Sequence, residues 1–340
     1  MKPPIVSILS CVYNGASELP QAMQCLNALE RPNDLPIELL VVDNNSTDDS
    51  VSQIQNKFIQ NDRTFLRIIH EKRQGAGWAT RTGLKACRGE FIAIMDQDNW
   101  VRPDWLTAGL AALQADKKLG GVGSLNHAVS KSKIPPWFDR YQSNFAVGPQ
   151  KMEHAPEALP PVIWSAGCFL RAEAVKQALA LDIEPLMVSR AGKSMLAGDD
   201  TETFMLMQLC GWRFSYDPRI QIDHFMPEKR LKWRYYLRMR EGNGRTAVYV
   251  DIYRRILAEI LLGKRGQDYQ WHHELQKARS ALLSDPLGLL AATIPGFEGN
   301  NRPALAMSRW GAYWERRDQG AELEKIYNSL RKKVLNKLGD

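Results

Sequence analysis

The chain has 340 residues, 44% apolar and 24% charged, which describes an ordinary globular protein with material for one large domain or two modest ones. The net charge of +7, with Lys and Arg concentrated late in the chain, favours anionic partners: nucleotide phosphates, anionic lipid or nucleic acid. The five cysteines (11, 25, 87, 168 and 210) are scattered with no Cys-x-x-Cys pair, and no apolar run approaches ~18 residues, which argues against a disulfide frame, a zinc site or a membrane span.

Met1-Lys2-Pro3-Pro4 leads straight into a strand, with no signal peptide, so a cytoplasmic protein with reduced thiols is expected. Ile5 to Val12 is a β-branched-rich strand ending in the turn signal Tyr13-Asn14-Gly15. Ser17 suits a helix N-cap, with Leu19, Met23, Leu26 and Leu29 at helical spacing. Pro32 and Pro36 break the chain before a second strand, Ile37 to Val42, which runs into Asp43-Asn44-Asn45. Ser46-Thr47-Asp48-Asp49 opens a helix carrying Val51, Ile54 and Phe58. Phe65 to Ile69 is a third strand, Gly75-Ala76-Gly77 a flexible loop, and Ala79 to Ala86 a short helix. The fourth strand, Phe91 to Met95, drives directly into Asp96-Gln97-Asp98-Asn99.

A buried strand cannot hold unpaired carboxylates cheaply, so Asp96 and Asp98 belong at its exit, near counter-charge or water. Fixed there, they could bind a hard cation such as Mg²⁺ or Mn²⁺, and through it a phosphate. The alternative is a polar turn capping the helix that follows Pro103 and Asp104. Strands here alternate with helices across connections too long for hairpins, which predicts an open, doubly wound, mostly parallel α/β sheet. Ligands of such sheets bind outside the carboxyl ends of the strands. Tyr13 and Asn14, Asp43 and Asn44, and Asp96 and Asp98 are all delivered to that one edge.

Asp104 to Ala115 reads as an amphipathic helix and Gly121 to Leu125 as a short strand. Residues 126 to 161 mix prolines and aromatics and read as a functional loop or lid, ordered by its aromatics. Ile163 to Leu170, with Trp164 and Gly167, returns to strand character, and Ala172 to Leu181 is helical. Gly198-Asp199-Asp200-Thr201-Glu202 places three acids at a helix start; they suit the helix dipole, or one of them faces a cleft as a general base. Two short strands, Phe214 to Tyr216 and Arg219 to Ile222, precede Asp223-His224. From Glu228 basic and aromatic residues interleave, and helices dominate, with breaks near Gly242-Asn243-Gly244, Gly263 to Gly266, Asp285-Pro286 and Pro295-Gly296. The last helix, Glu322 to Lys337, carries Leu323, Ile326, Tyr327, Leu330 and Val334 on one face; it could lie on a membrane or pack on the rest of the protein. The division expected is a nucleotide-binding half at 1–100, an acceptor-binding and catalytic half at 101–227, and a basic, mainly helical region at 228–340.

Five segments in order resemble the family 2 glycosyltransferases of GT-A, Rossmann-like fold: Val6 to Asn14, Leu40 to Asp48, Gly75 to Gly83, Asp96-Gln97-Asp98, and Gly198 to Glu202 with His224 after them. The resemblance implies that Val12, Tyr13, Asn14 and Asp43, with Asn44, Gly75 and Gln97 beside them, hold the nucleoside-diphosphate sugar. It makes Asp98 a ligand of Mn²⁺ or Mg²⁺, Asp96 a partner of ribose or of a metal-bound water, His224 a further metal ligand, and Asp200 the base, with Asp199 beside it where the family usually has Glu. Arg81 stands where the family usually has Asn, within reach of a phosphate. Asn99, Trp100, Trp164, Gly167 and Glu202 are further candidates for acceptor or donor-sugar contact. The Gln-x-x-Arg-Trp signature of processive synthases is absent. The expected activity is metal-dependent inverting transfer to a saccharide or lipid-linked glycan in surface polysaccharide synthesis, in the cytoplasm, with peripheral contact at the inner face of the plasma membrane through the basic C-terminal region. The rivals are a sugar-nucleotide pyrophosphorylase and a degenerate transferase serving as a binding module. No nucleic-acid module accompanies the basic cluster, so nucleic acid is not an expected partner.

Overall fold

The structure is a computed structural model that describes residues 5–31, 35–61, 63–187, 196–264 and 268–339. Strand β1 (Val6–Val12), helix α1 (Leu19–Asn27), β2 (Ile37–Asp43), α2 (Ser50–Lys57), β3 (Thr64–His70), α3 (Ala76–Ala86) and β4 (Phe91–Ile94) alternate along the chain. The four strands lie in the order β3-β2-β1-β4, all parallel. Their side chains explain why. Ile8, Leu39, Val41, Phe91 and Ala93 join one core, while their neighbours Leu9, Leu40, Val42, Ile92 and Ile94 join another. Side chains alternate in direction along a strand, so two-faced apolar strands feed two cores at once and need helices on both sides. α1 and α2 cover one face through Leu19, Met23, Leu26 and Ile54, and α3 covers the other through Ala79 and Leu84. The chain steps one way from β1 to β3, then returns to place β4 on the far side of β1. An open α/β sheet has its crevice at such a reversal.

The sheet continues through β5 (Asn99–Val101), β6 (Leu119–Val129), β7 (Phe169–Arg171) and β8 (Arg213–Phe225), with helices α4 (Trp105–Ala115), α5 (Phe138–Tyr141), α6 (Ala172–Ala180) and α7 (Asp199–Leu209) between them. The full order is β3-β2-β1-β4-β7-β6-β8-β5; β7 runs antiparallel to β4 and β6, and β5 antiparallel to β8. Several expected elements change shape. Gly75 to Gly77 is the start of α3 and not a loop, with Gly75 as its N-cap. Ser17 does not cap α1; its hydroxyl bonds to Glu18, which holds the N-cap position. The strand expected at 163–170 shortens to Phe169–Arg171, because Gly167 turns the chain at φ 73°. The two short strands near 214 and 222 are one strand, β8, whose pairing with β6 shifts register between Tyr216 and Gln221. Pro32, Arg265 and Gly266 lie outside the described residues.

The C-terminal helices are α8 (Trp233–Leu262), α9 (Trp271–Leu283), α10 (Pro286–Thr293), α11 (Asn301–Gln319) and α12 (Ala321–Gly339). The apolar face of α12 is buried: Leu323, Tyr327, Leu330 and Val334 join the core that α3, α6, α7 and α8 also build. A third core gathers Trp137, Phe138, Tyr141 and Phe145 from the 126–161 segment against Trp233, Tyr236 and Leu237 of α8, which gives that segment its order.

Gly242-Asn243-Gly244 does not break α8, which runs straight through for 30 residues. The glycines serve packing. A Cβ on Gly244 would lie 2.0 Å from the Ser308 carbonyl oxygen, and one on Gly311 would lie 2.0 Å from that of Glu241, so α8 and α11 cross backbone to backbone. Alanine normally gains ~1 kcal/mol over glycine inside a helix. Here it meets backbone that no rotamer change can clear, at an overpacking cost of up to ~3 kcal/mol. Gly244→Ala is therefore expected to lose about 2 kcal/mol, read as a lowered midpoint in denaturant at unchanged m-value.

Candidate active site

A cleft of about 360 Å³ opens at the reversal point between β1 and β4. One end is formed by Cys11, Val12 and Tyr13 from β1 and its exit, by Asn44 after β2, and by Gln74 and Thr80 around the start of α3. Tyr13 is 50% exposed. Its backbone N–H donates to Gln97 Oε1 at 3.2 Å, which ties the middle residue of Asp96-Gln97-Asp98 to the β1 exit. Burial pushes the Cys11 thiol well above its usual range, so it stands neutral at the cleft wall.

Several predicted residues brace this end from behind. Asn14 Oδ1 accepts the Thr47 N–H at 2.8 Å. Asp43 accepts from the Ser46 N–H and meets His70 Nδ1, both at 3.1 Å. The buried Asn44 amide donates to the Glu71 and Arg73 carbonyls at 2.8 and 2.7 Å and accepts the Gly75 N–H at 2.8 Å. Glu71 secures the same loop; the Arg73 guanidinium beside it holds its carboxyl down at about 2, so the brace stays ionised in any ordinary buffer.

The acidic centre is built by pairing distant segments. β5 pairs antiparallel with β8, setting Asn99 opposite His224. The fully buried Asn99 accepts the Asp96 N–H at 3.2 Å and donates to Asp98 Oδ1 at 3.2 Å, which fixes the turn holding both carboxylates. Trp100 stacks on Phe225, centroids 4.9 Å apart, locking β5 to β8 from outside the cleft. Asp98 Oδ2 lies 3.7 Å from His224 Nε2 and 2.9 Å from Arg230 Nη1. Burial would pull the Arg230 guanidinium down, but the charge of Asp98 holds it up, so the guanidinium stays charged. Arg230 sits in a 3-10 turn, Glu228–Leu231, and lines the cleft. Sequence reasoning placed it only within a general basic cluster; its spacing six residues after His224 is the one local signal it carries.

The remaining wall comes from the first turn of α7. Asp199 and Asp200 both line the cleft. Asp200 Oδ1 accepts the Thr201 N–H at 2.7 Å, and Oδ2 faces the Ser165 N–H at 3.4 Å. Glu202, in the same first turn, points the other way. It accepts the Leu186 and Met187 N–H groups at 2.9 and 3.1 Å and the Tyr253 hydroxyl at 2.6 Å, and burial raises its carboxyl. Arg81 lines a smaller cavity behind the cleft together with Glu202 and Asp199. Trp164 donates its N–H to Gln150 at 2.8 Å, and Gly167 accepts from Trp105 Nε1 at 2.9 Å; neither lines the cleft. Asn144 and Phe145, from the segment the aromatic core orders, do.

The family model for glycosyl transferase family 2 matches residues 7–179, just over half of the chain. The chain belongs to that family. EpsH of Bacillus subtilis (strain 168) is 36% identical over 105 residues, 31% of this chain and 29% of that protein. The succinoglycan biosynthesis protein ExoM of Rhizobium meliloti (strain 1021) is 23% identical over 305 residues, 88% of each chain. The match to EpsH thus spans under a third of that protein, while the more distant ExoM matches along most of its length. Among solved structures, a mannosyltransferase from Pyrobaculum calidifontis in complex with GDP-Man and Mn²⁺ superposes with a TM-score of 0.55 at 20% identity, covering 98% of this chain and 88% of that one. The fold is therefore the GT-A α/β fold, extended here by the C-terminal helices.

The donor set suits a hard or borderline divalent cation. Asp98 Oδ2 and His224 Nε2 supply one oxygen and one nitrogen 3.7 Å apart at the edge of the cleft. Among the described residues, no group of three or more His, Cys, Asp or Glu side chains forms a protein-only cage. A two-donor site fits a cation that completes its shell with phosphate oxygens and water.

Proposed function

We propose that this protein is an inverting glycosyltransferase that moves a sugar from a nucleoside-diphosphate sugar to an acceptor hydroxyl, with Mn²⁺ or Mg²⁺ bound beside the diphosphate. The observation that carries the reading is one cleft with three chemically distinct stations. The exposed Tyr13 lines one part, the cluster of Asp98, His224 and Arg230 another, and a separate carboxylate, Asp200, a third.

Tyr13 offers its ring to the base and Asp96 a carboxylate to the ribose. Asp98 and His224 are the residues that would hold the cation. When bound, the cation neutralises the diphosphate and eases its departure. Arg230 stands at the same oxygen of Asp98, where its guanidinium can turn its remaining N–H groups to a phosphate. Asp200 takes the proton of the acceptor hydroxyl as that oxygen bonds to the anomeric carbon. The bond from that carbon to the diphosphate oxygen breaks on the opposite face, and the nucleoside diphosphate leaves. A single displacement inverts the anomeric centre.

The mannosyltransferase complex with GDP-Man and Mn²⁺ supports a sugar-nucleotide donor and a divalent cation, and the likeness to ExoM supports a place in polysaccharide synthesis with a saccharide or lipid-linked acceptor. No helix among the described residues is long and apolar enough to cross a membrane. Thermal shifts against UDP-, GDP-, dTDP- and CMP-sugars with Mn²⁺, Mg²⁺ or EDTA test the reading, since a ligand that binds only the native state raises the midpoint. A shift with one base class, lost in EDTA, is expected. A folded sample that shifts with no donor would overturn it.

A further inference from the structure

We propose that the outward face of α10 seats in an anionic lipid bilayer. The helix is turned inside out. Its small residues, Gly288 and Ala291, are the buried ones, and a Cβ on Gly288 would already lie 3.0 Å from Ala306 of α11. Two of its three leucines face water, Leu287 at 58% exposed and Leu290 at 55%, while Leu289 is half-buried. Leu283 at the end of α9, Ile294 just after α10 and Leu305 of α11 extend the patch at 63%, 46% and 39%. A helix that serves only its own protein turns leucines inward. Singly exposed apolar side chains are ordinary, but four leucines and an isoleucine between positions 283 and 305 call for an occupant.

Charge selects that occupant. Arg279 and Arg309 lie on the flanking helices α9 and α11, and Arg309 Nη1 reaches Ser284 Oγ at 3.2 Å, beside the turn between α9 and α10. The carboxylates between positions 275 and 310 are Asp285 and Glu298. Asp285 is already held by Arg302 at 2.7 Å and by capping the Gly288 N–H. An apolar strip with a cationic surround fits acyl chains below anionic headgroups. The last helix, the sequence's own candidate for such contact, has its apolar face inside the core.

The position bears on the cleft. The α10–α11 connection is fastened to the cleft wall, because Tyr141 Oη donates to the Gly299 carbonyl at 2.8 Å and Trp137 packs against Gly299. The segment carrying both residues continues into Asn144 and Phe145, which line the cleft. A bilayer under α10 would bring the cleft close to an acceptor hydroxyl carried on a lipid. That last consequence rests on the transferase reading; the docking does not.

Flotation of the full chain with vesicles of phosphatidylcholine, with and without phosphatidylglycerol, tests the docking. The parent is expected to float with the phosphatidylglycerol vesicles. Leu287→Glu/Leu290→Glu should weaken this by about tenfold or more, and Arg279→Glu/Arg309→Glu should weaken it while leaving salt-insensitive residual binding. All four side chains lie at the surface or beside it, so an unchanged melting midpoint and an unchanged donor-induced shift certify that fold and cleft are intact. Docking and the transferase reading can therefore fail separately. Absence of flotation by the parent, or equal flotation by the leucine variant, would overturn the proposal. So would a parent dimer on size exclusion that the leucine variant turns to monomer, which would assign the face to a second copy.

Discussion

Asp200→Asn is expected to lower nucleoside-diphosphate release by about 10²–10⁴, the usual contribution of a general base, while the donor-induced thermal shift stays as in the parent. The substitution is a narrow one. The amide oxygen can still accept the Thr201 N–H that Asp200 Oδ1 accepts at 2.7 Å, so the first turn of α7 keeps its local bond. What it loses is the lone pair of a carboxylate able to take a proton. The rate is read with whichever donor the thermal-shift panel identifies, with saccharide acceptors offered in turn. The control is two residues away. Glu202→Gln should lower stability, because Glu202 holds Leu186, Met187 and Tyr253 together from a buried position, yet leave release per folded molecule close to the parent's. Parental release in Asp200→Asn would place the base elsewhere, with Asp199 the next carboxylate on the cleft wall.

This contrast also marks how far the sequence could be read. Asp199, Asp200 and Glu202 look alike in the chain, three acids at a helix start. Only the helix's rotation, set by Phe204, Met205, Leu206 and Met207 entering the core, decides which of them meets the cleft and which is buried against α8. The parallel half of the sheet was legible because its strands are apolar on both faces and each ends in a polar turn. β5 was not, since three residues carry no periodicity, and it becomes a strand only through pairing with β8. Gly244 reads locally as a helix breaker; its meaning lies 64 positions on, in Ser308. The anchoring of Trp137, Phe138, Tyr141 and Phe145 required Trp233 and Tyr236 from another part of the chain. Arg230 was hidden among seven basic residues, and what singles it out is contact with Asp98, a residue 132 positions earlier.

That contact yields the second large effect. Asp98 Oδ2 faces His224 at 3.7 Å and Arg230 at 2.9 Å, so a divalent cation held by Asp98 and His224 would share its carboxylate with a guanidinium. Two consequences of opposite sign follow. Asp98→Ala removes the carboxylate from both, and is expected to abolish the metal-dependent part of donor binding. It also leaves Arg230, 17% exposed, without this ion partner, a loss of about 3–5 kcal/mol for a buried pair broken from one side. Arg230→Gln removes a positive charge and leaves the carboxylate beside His224 with less to neutralise it. That variant should be less stable than the parent in EDTA and gain more from Mn²⁺ than the parent does, because the cation then supplies charge the guanidinium no longer provides. Melting midpoints of the parent, both single variants and Asp98→Ala/Arg230→Gln, each in Mn²⁺ and in EDTA, resolve the two roles without any turnover measurement. If Mn²⁺ stabilised Asp98→Ala as much as Arg230→Gln, the cation would be bound elsewhere. If neither variant nor parent responded to Mn²⁺ even with donor present, Arg230 alone would be the counter-charge to the diphosphate, and the cleft would work on its own guanidinium.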